Sequence, residues 1–491
     1  MLLILILLLI AFFALVHQKQ KRVPKGPPPL PIIGNLHQIA YYSWKLGGIV
    51  EAYQALQSEY GKVFTVWIGP LPTVNIASYQ VAYETHVKQA NTFGHRFSTG
   101  VIQYLREGRG IIASNGDFWQ EHRRFALHTL RNFGVGRNLM ECKILDELDY
   151  RCSEFEGVEF KASTFFDLLI GSIINQLLIS ERFEKNDEEF EELKNSIEMT
   201  LKNLSLLEFF APVWLLKSWP FNSRTQHVFT PFDTVYAIAR KNISKRVKEI
   251  ECGDHVISED GDDFLDAYLY KIQCDKESGI ANSTFNLDTL AIDVYDLWIA
   301  GQETTSTTLT WGFLCLLKHP EVVEKIRAEL NKTTSNGSRN LSLSDKPNTP
   351  YLVATINEIQ RIASILNLNL LRVMQEDSDI DGQPISKGTV FCTQMSVIHQ
   401  DETIFKNPKE FNPSRFIEDE TLEKMLIPFG IGKRVCLGES LARAELYLII
   451  GNLILRYNIE NIGELPRLET TSPFGMVKRP PAYVMRMTPV Q

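Results

Sequence analysis

The chain has 491 residues, 44% of them hydrophobic and 22% charged, which is the balance of a folded globular protein and excludes a disordered or fibrous one. A formal net charge of −8 argues against a general nucleic-acid binder, which would be basic, while leaving room for a local basic patch facing an acidic protein partner. The seven cysteines are scattered, with neither a C-x-x-C zinc pair nor a C-x-x-C-H attachment signature, so most read as small buried hydrophobes in a reducing compartment.

In chain order, Met1–Val16 comes first as an uncharged apolar run. At helical rise it covers about 24 Å, short of the ~30 Å hydrocarbon core of a bilayer, a gap that local thinning closes. Lys19, Lys21, Arg22 and Lys25 follow, which favours a cytosolic body by the positive-inside rule. No basic segment precedes the run and no small-x-small cleavage pattern follows it, so a retained transmembrane anchor is expected over residues 1–18. Six N-x-[ST] sequons, at Asn203, Asn242, Asn282, Asn331, Asn336 and Asn340, would be idle in that topology and are expected to be unmodified.

Residues 19–35 form a basic, proline-rich linker, stiff and extended through Pro24–Pro31. Residues 36–491 show no repeat and no later linker, and read as one body. Gly61–Ala77 predicts an early hairpin. Helical period predicts helices over Asp117–Leu130, Phe190–Phe210, Leu287–Leu317, Glu321–Leu330, Tyr351–Ile362 and Glu439–Leu455. Short strands are expected around Ile380–Phe391 and near the C-terminus. The fold class is therefore mainly α with a minor β portion. The aromatic run Phe209–Phe221 either dips into a membrane interface, where Trp is comfortable, or caps an internal core.

Four residue groups carry chemical promise. The first is Phe429-Gly430-Ile431-Gly432-Lys433-Arg434-Val435-Cys436-Leu437-Gly438, leading into Glu439–Leu455. Its glycines permit a tight loop, unusual φ and close approach to a flat ligand. Cys436 lies just ahead of a helix start, where free N–H groups and the dipole favour a thiolate, and Arg434 can reach an anionic group on the same ligand. A cysteine taken at random is more often buried and inert. The second group is Ala300-Gly301-Gln302-Glu303-Thr304-Thr305, with Ala300 and Thr304 sharing a helix face. A mid-helix Thr hydroxyl can compete for a carbonyl and bend the helix, while Glu303 can relay protons. The third is Glu358 with Arg361 at i,i+3. The fourth is Trp119 with Arg123 at i,i+4, an indole donor beside a guanidinium fork suited to carboxylates.

Phe429, Gly432, Arg434, Cys436 and Gly438 match F-x-x-G-x-R-x-C-x-G, and on these residues the chain resembles the cytochrome P-450 family; the resemblance extends over nearly the whole body, which looks like the vertebrate-type microsomal drug- and lipid-oxidising branch. Five such positions coincide by chance on the order of once in several thousand chains of this length, which outweighs the inert-cysteine reading. The resemblance implies a single P-450-fold catalytic domain behind the anchor, and haem b with Cys436 as axial ligand. It implies a Glu303–Thr304 acid–alcohol pair for proton delivery, and haem propionates held by Trp119, Arg123, Arg372 and Arg434, with Arg96 as a looser further partner. It also implies that Arg415, from Phe411-Asn412-Pro413-Ser414-Arg415-Phe416, completes a charge network with Glu358 and Arg361. The substrate pocket is carried over by position to Ser98–Ala113, Leu204–Phe210, Asp293–Glu303, Leu366–Leu371 and Ser472–Met476. Relatives usually carry prolines where this chain has Asn367 and Leu371, which leaves the pocket's shape open.

No G-x-G-x-x-G fingerprint or P-loop accompanies these motifs, so electrons must come from another protein. The resemblance implies an NADPH-dependent flavoprotein reductase, sometimes with cytochrome b5, docked near basic residues such as Lys433. The expected function is a monooxygenase inserting one atom of O2 into a fatty acid, steroid or xenobiotic, in the endoplasmic reticulum membrane with its body facing the cytosol. Three rivals stay open: a haem-thiolate isomerase or dehydratase acting on lipid peroxides, a non-catalytic haem carrier or sensor, and an interaction protein without haem.

Overall fold

The computed structural model of the chain describes residues 22–133, 138–203, 213–259, 261–367, 369–473 and 475–490. The expected anchor and the pocket segment Leu204–Phe210 lie outside the described residues. The longer helices, in chain order, are α1 (Leu36–Leu46), α2 (Ile49–Tyr60), α3 (Gly116–Asn132), α4 (Asn138–Phe155), α5 (Ala162–Ile179), α6 (Glu188–Asn203), α7 (Asn222–Cys252), α8 (Phe264–Glu277), α9 (Leu287–Lys318), α10 (Pro320–Thr333), α11 (Pro350–Ala363) and α12 (Glu439–Arg456). The strands are β1 (Val63–Ile68), β2 (Leu71–Ile76), β3 (His95–Arg96), β4 (Glu159–Lys161), β5 (Arg372–Val373), β6 (Ser378–Ile380), β7 (Gln383–Ile385), β8 (Val390–Thr393), β9 (Tyr457–Ile462) and β10 (Val484–Pro489). The architecture is mainly α with a minor β portion, as the sequence predicts.

Local chemistry sets the borders of the central elements. The Asn286 side chain accepts the Thr289 N–H and starts α9, the N-cap role for which Asn is suited. Pro320 opens α10 and Pro350 opens α11, where the missing N–H costs nothing. Strands β1 and β2 form the predicted hairpin, and the larger sheet runs β1-β2-β8-β5-β3. Its last pair sets Arg96 opposite Arg372. Strands β4, β10 and β9 make a second sheet.

Helix α9 runs through the middle of the main core, with Trp298, Leu309, Trp311 and Phe313 buried among Phe165, Phe166 and Ile173 of α5. A Cβ at Gly301 would come within 2.7 Å of Ile174 Cδ1, so this glycine lets α9 settle against α5 instead of against a ligand. Among the described residues, α5 is the helix long and apolar enough to cross a membrane; it is mostly buried inside the protein and serves as core. Trp214 and Trp219, from the aromatic run, are 70% and 87% exposed.

Candidate functional site

The site is built where α3, the Cys436 loop and the β3–β5 pair meet. Trp119 is buried on α3, and the Arg434 guanidinium stacks 3.6 Å from its ring centroid, with Arg123 at 5.5 Å and Lys433 at 5.9 Å. Arg123 Nη2 donates to the Val435 carbonyl at 2.6 Å, tying α3 to the residue before Cys436. Arg434 donates to the carbonyls of Gly94 and Ser114, each at 2.8 Å, and to Asn115 Oδ1 at 2.7 Å. Asn115 also accepts the Arg96 N–H at 2.8 Å and donates to the Arg96 carbonyl at 3.0 Å. One asparagine thus welds the start of α3 to both the cysteine loop and β3, a role its sequence position gives no hint of.

Arg372 and Arg96 complete the cluster. Arg372 is 2% exposed, and its recorded hydrogen bond to the Phe93 carbonyl is long, 3.4 Å. Arg96 reaches the Leu370 carbonyl at 3.3 Å. Burial is the largest influence on all four guanidiniums: it lowers Arg123, brings Arg96 down to about 10 and Arg372 to about 9, and Arg434 to about 8, with mutual repulsion adding to the last three. Guanidiniums stay charged in proteins, so these shifts express electrostatic strain and not deprotonation. Among the described residues no carboxylate forms a salt bridge with any of the four, and Arg96 Nε, Arg372 Nε and Arg434 Nη1 are buried without a partner. Such a set fits a dianionic ligand, because buried charges are stable only when paired.

Cys436 closes the loop on which Arg434 sits. Gly430 and Gly432 have φ of 77° and 80°, and a Cβ at Gly432 would run into the His86 carbonyl. Gly438, at φ −87°, needs no unusual conformation, contrary to the expectation for all three glycines. The Cys436 side chain is exposed although protein surrounds it on most sides. That enclosure raises the free thiol above its ordinary value, Glu439 adds to the rise, and the Gly438 N–H and Arg123 oppose it. Desolvation therefore outweighs the helix terminus, and a metal cation is what would draw off the proton. A soft, accessible sulfur beside paired donors for carboxylates fits an iron porphyrin.

On α9, Ala300 is exposed in a helix otherwise largely buried. Thr304 Oγ1 donates to the Ala300 carbonyl at 2.7 Å, the back-bond expected of a mid-helix threonine, and the helix runs unbroken through it. Glu303 is held elsewhere: Arg479 Nη2 lies 2.7 Å from its Oε1, and Arg479 also pairs with Glu198 of α6. Burial lifts Glu303 to about 7, with Arg479 opposing. Glu303 and Thr304 are thus neighbours on α9 with separate partners. Glu445 on α12 was not anticipated. It is 1% exposed, burial pushes it up to about 8, and its hydrogen bond to Thr305 pulls the other way. An acid inside the apolar run Leu441–Leu455 is the signal that could have found it.

The third group forms the network implied for it. Arg361 donates through Nε and Nη2 to the two oxygens of Glu358, both at 2.8 Å, and Arg415 Nε lies 3.2 Å from the same carboxylate. Arg361 also donates to the carbonyls of His399 and Pro408. His399 Nε2 then accepts the Ile427 N–H at 3.0 Å, carrying the support to the base of the cysteine loop. At the pocket margin, Asn367 donates from its backbone to the Met476 carbonyl at 3.1 Å and from its side chain to the Gly475 carbonyl at 2.7 Å, contacts that a proline could not make.

Residues 24–487 match the sequence profile of the family described as Cytochrome P450. The chain is 40% identical over 475 residues to a probable cytochrome P450, cyp-35D1, of Caenorhabditis elegans, covering 94% of both chains. It is 32% identical to cytochrome P450 2B2 of Rattus norvegicus, covering 98% of each chain, and 32% identical to cytochrome P450 2C8 of Homo sapiens, covering 99% of each.

Proposed function

The chain belongs to the cytochrome P450 family, and from that premise we propose which of its residues carry out the haem-thiolate monooxygenation of lipophilic substrates that membership implies. When bound, the haem supplies O2 activation at an iron whose thiolate ligand favours O–O cleavage. Cys436 is the ligand. Trp119, Arg123, Arg372 and Arg434 hold the propionates, with Arg96 as a fifth partner. The observation that carries this reading is the arginine cluster itself, four cations that pair with no carboxylate among the described residues, three of which leave a buried N–H without a partner.

Glu303 and Thr304 manage protons. A carboxyl near 7 is matched to proton exchange at neutral pH. The Thr304 hydroxyl hydrogen is spent on the Ala300 carbonyl, so its oxygen acts first as an acceptor, and it passes a proton on only when that bond is released. Ala300 presents a small side chain to the substrate side of α9. These assignments favour monooxygenation over the peroxide-isomerase and haem-carrier readings, since proton delivery is needed for neither.

A redox partner follows from family membership. The finer reading is an NADPH-dependent flavoprotein reductase, with cytochrome b5 as an accessory. Residues 1–18 are read as the anchor, 19–35 as the linker and 36–491 as the catalytic domain, held at the endoplasmic reticulum membrane with the body in the cytosol. The test is the carbon-monoxide difference spectrum of the reduced protein. A thiolate-type band is expected from the native chain and its loss from Cys436→Ser; a Cys436→Ser protein with the native band would end the assignment.

A further inference from the structure

Beside the arginine cluster, α3 carries a second buried constellation. His122 stands between Trp119 and Arg123 in sequence and is 1% exposed. Its ring is sandwiched between Phe118 at 4.2 Å and Phe285 at 4.5 Å, both nearly parallel to it. Nδ1 lies 2.8 Å from Asp293 Oδ2 on α9, and Nε2 lies 3.1 Å from Thr284 Oγ1. The Thr284 hydroxyl donates to Glu121 at 2.7 Å, so its single hydrogen is spent and its oxygen accepts from His122 Nε2–H. One proton then remains to be shared between Nδ1 and the Asp293 carboxylate.

Asp293 is itself 1% exposed, and its Oδ1 has no partner among the described residues. The imidazole is thus the carboxylate's one recorded hydrogen-bond partner. The charged and titratable groups around it are His122 and Glu121 on α3, Asp296 on α9, Arg106 in Gly100–Arg106, and Tyr268 on α8. Arg106 is engaged by Asp296, whose other oxygen accepts the N–H groups of Ile111 and Ile112 at 2.8 and 2.9 Å. Burial pushes Asp293 up to about 6, with the His122 hydrogen bond opposing.

We propose that His122 and Asp293 are a positioning pair, sharing one proton across the joint between α3 and α9 and so fixing where Trp119 and Arg123 stand relative to the face of α9 that carries Ala300 and Thr304. The argument is geometric. Helix α3 is fastened at one side to the cysteine loop, through Trp119–Arg434 and Arg123–Val435, and at the other to α9 through this pair. Asp293, Ala300 and Thr304 fall on one face of α9 at heptad-like spacing, so any shift of α9 is transmitted to the propionate-binding side chains. Neighbours that orient a ligand-holding group affect affinity by about 10-fold or more.

The proposal rests on the reading that Trp119 and Arg123 hold haem, and its test separates the two. Haem transfer from the ferric, full-length protein to excess apomyoglobin is followed between about pH 5 and pH 8, which brackets the Asp293 value of about 6. As pH falls through about 6, Asp293 gains its own proton, the shared one no longer bridges, and native transfer accelerates. Asp293→Asn keeps the shape but cannot share the proton. It is expected to transfer haem about 10-fold faster at neutral pH, with the acid-side acceleration flattened. His122→Phe with Asp293→Leu removes both charges and keeps the aromatic stack; it should melt close to the native temperature yet show the same fast, flat profile. Native rates with the native pH profile in either variant overturn the proposal. If Trp119→Phe and Arg123→Met also transfer at the native rate, the propionate assignment is what has failed.

Discussion

One arginine cluster surrounds Glu358 and another surrounds Trp119, and the two differ in how their charges are met. Around Glu358, the guanidiniums of Arg361 and Arg415 share a carboxylate and spend their remaining N–H groups on backbone carbonyls of residues 399–410. Around Trp119, the guanidiniums of Arg96, Arg123, Arg372 and Arg434 have carbonyls but, among the described residues, no carboxylate; they repel one another and leave three nitrogens bare. A buried cation that brings its own anion is scaffolding. A set that lacks one is, on the assignment proposed above, a receptor, because its desolvation is repaid only when an anion arrives. Burial and residue type alone would not separate the two; the accounting of partners does.

The largest effect is expected in the scaffold. Glu358→Ala leaves Arg361 and Arg415 buried and unpaired, at a cost of about 3–5 kcal/mol. The expected outcome is loss of folded protein with or without haem, measured as yield and denaturant midpoint; a stable variant would mean that the backbone carbonyls suffice and that the two clusters are alike.

Glu303 is an intermediate case, having a cation in Arg479 and yet a carboxyl lifted to about 7 by burial. The native protein therefore holds a proton that the unfolded chain has already released once pH exceeds the ordinary 4.5. Stability should fall as pH rises from about 4.5 to 7 and level off above. The protonated form is the donor, so turnover should decline through about pH 7. Glu303→Gln should remove both dependences and cut turnover by about 100-fold, as read from pH profiles of melting and of product formation. A native-like profile in that variant would leave Glu303 as a mere partner of Arg479.

Sequence spacing revealed these regions unevenly, for physical reasons. Cys436, Arg434, Glu358 and Arg361 were legible because short-range geometry fixes their spacing: a glycine loop in one case, an i,i+3 helix pair in the other. Asn115, Arg479 and Glu445 were not, since each acts on a partner from a distant stretch of chain, Arg479 on Glu303 across 176 positions. Helix α5 escaped periodicity because it is apolar nearly all round, and α7 because Pro231 interrupts a polar pattern. The sequon at Asn242 was expected to be idle on grounds of topology. In the fold it is 7% exposed and its amide bonds to Glu189 and the Ile238 carbonyl, so the folded site leaves no room for a glycan.

The receptor cluster should answer in the opposite sense to the scaffold. Arg372→Met removes a cation whose one hydrogen bond among the described residues is long and which strains its neighbours. The haem-free protein is expected to gain about 1 kcal/mol, whereas haem is lost about 10-fold faster. Melting of the apoprotein and haem transfer, measured on one preparation, check both halves. A less stable apoprotein would place Arg372 with the scaffold.

Exchange of arginine for lysine gives the smallest effect and the finest discrimination. Arg361 uses its fork fully, two N–H groups on Glu358 and others on carbonyls, a geometry an ammonium cannot reproduce. Arg123 makes one recorded hydrogen bond, to Val435, and lies over Trp119. Arg123→Lys preserves the charge an anionic ligand needs and gives up mainly part of the stacking, worth about 0.5–1 kcal/mol. Its haem loss should thus quicken only a few-fold, by about 2- to 5-fold at that energy, while Arg361→Lys should lower the denaturant midpoint clearly. Equal sensitivity at both positions would show that the receptor reads the shape of its ligand through Arg123, not just its charge.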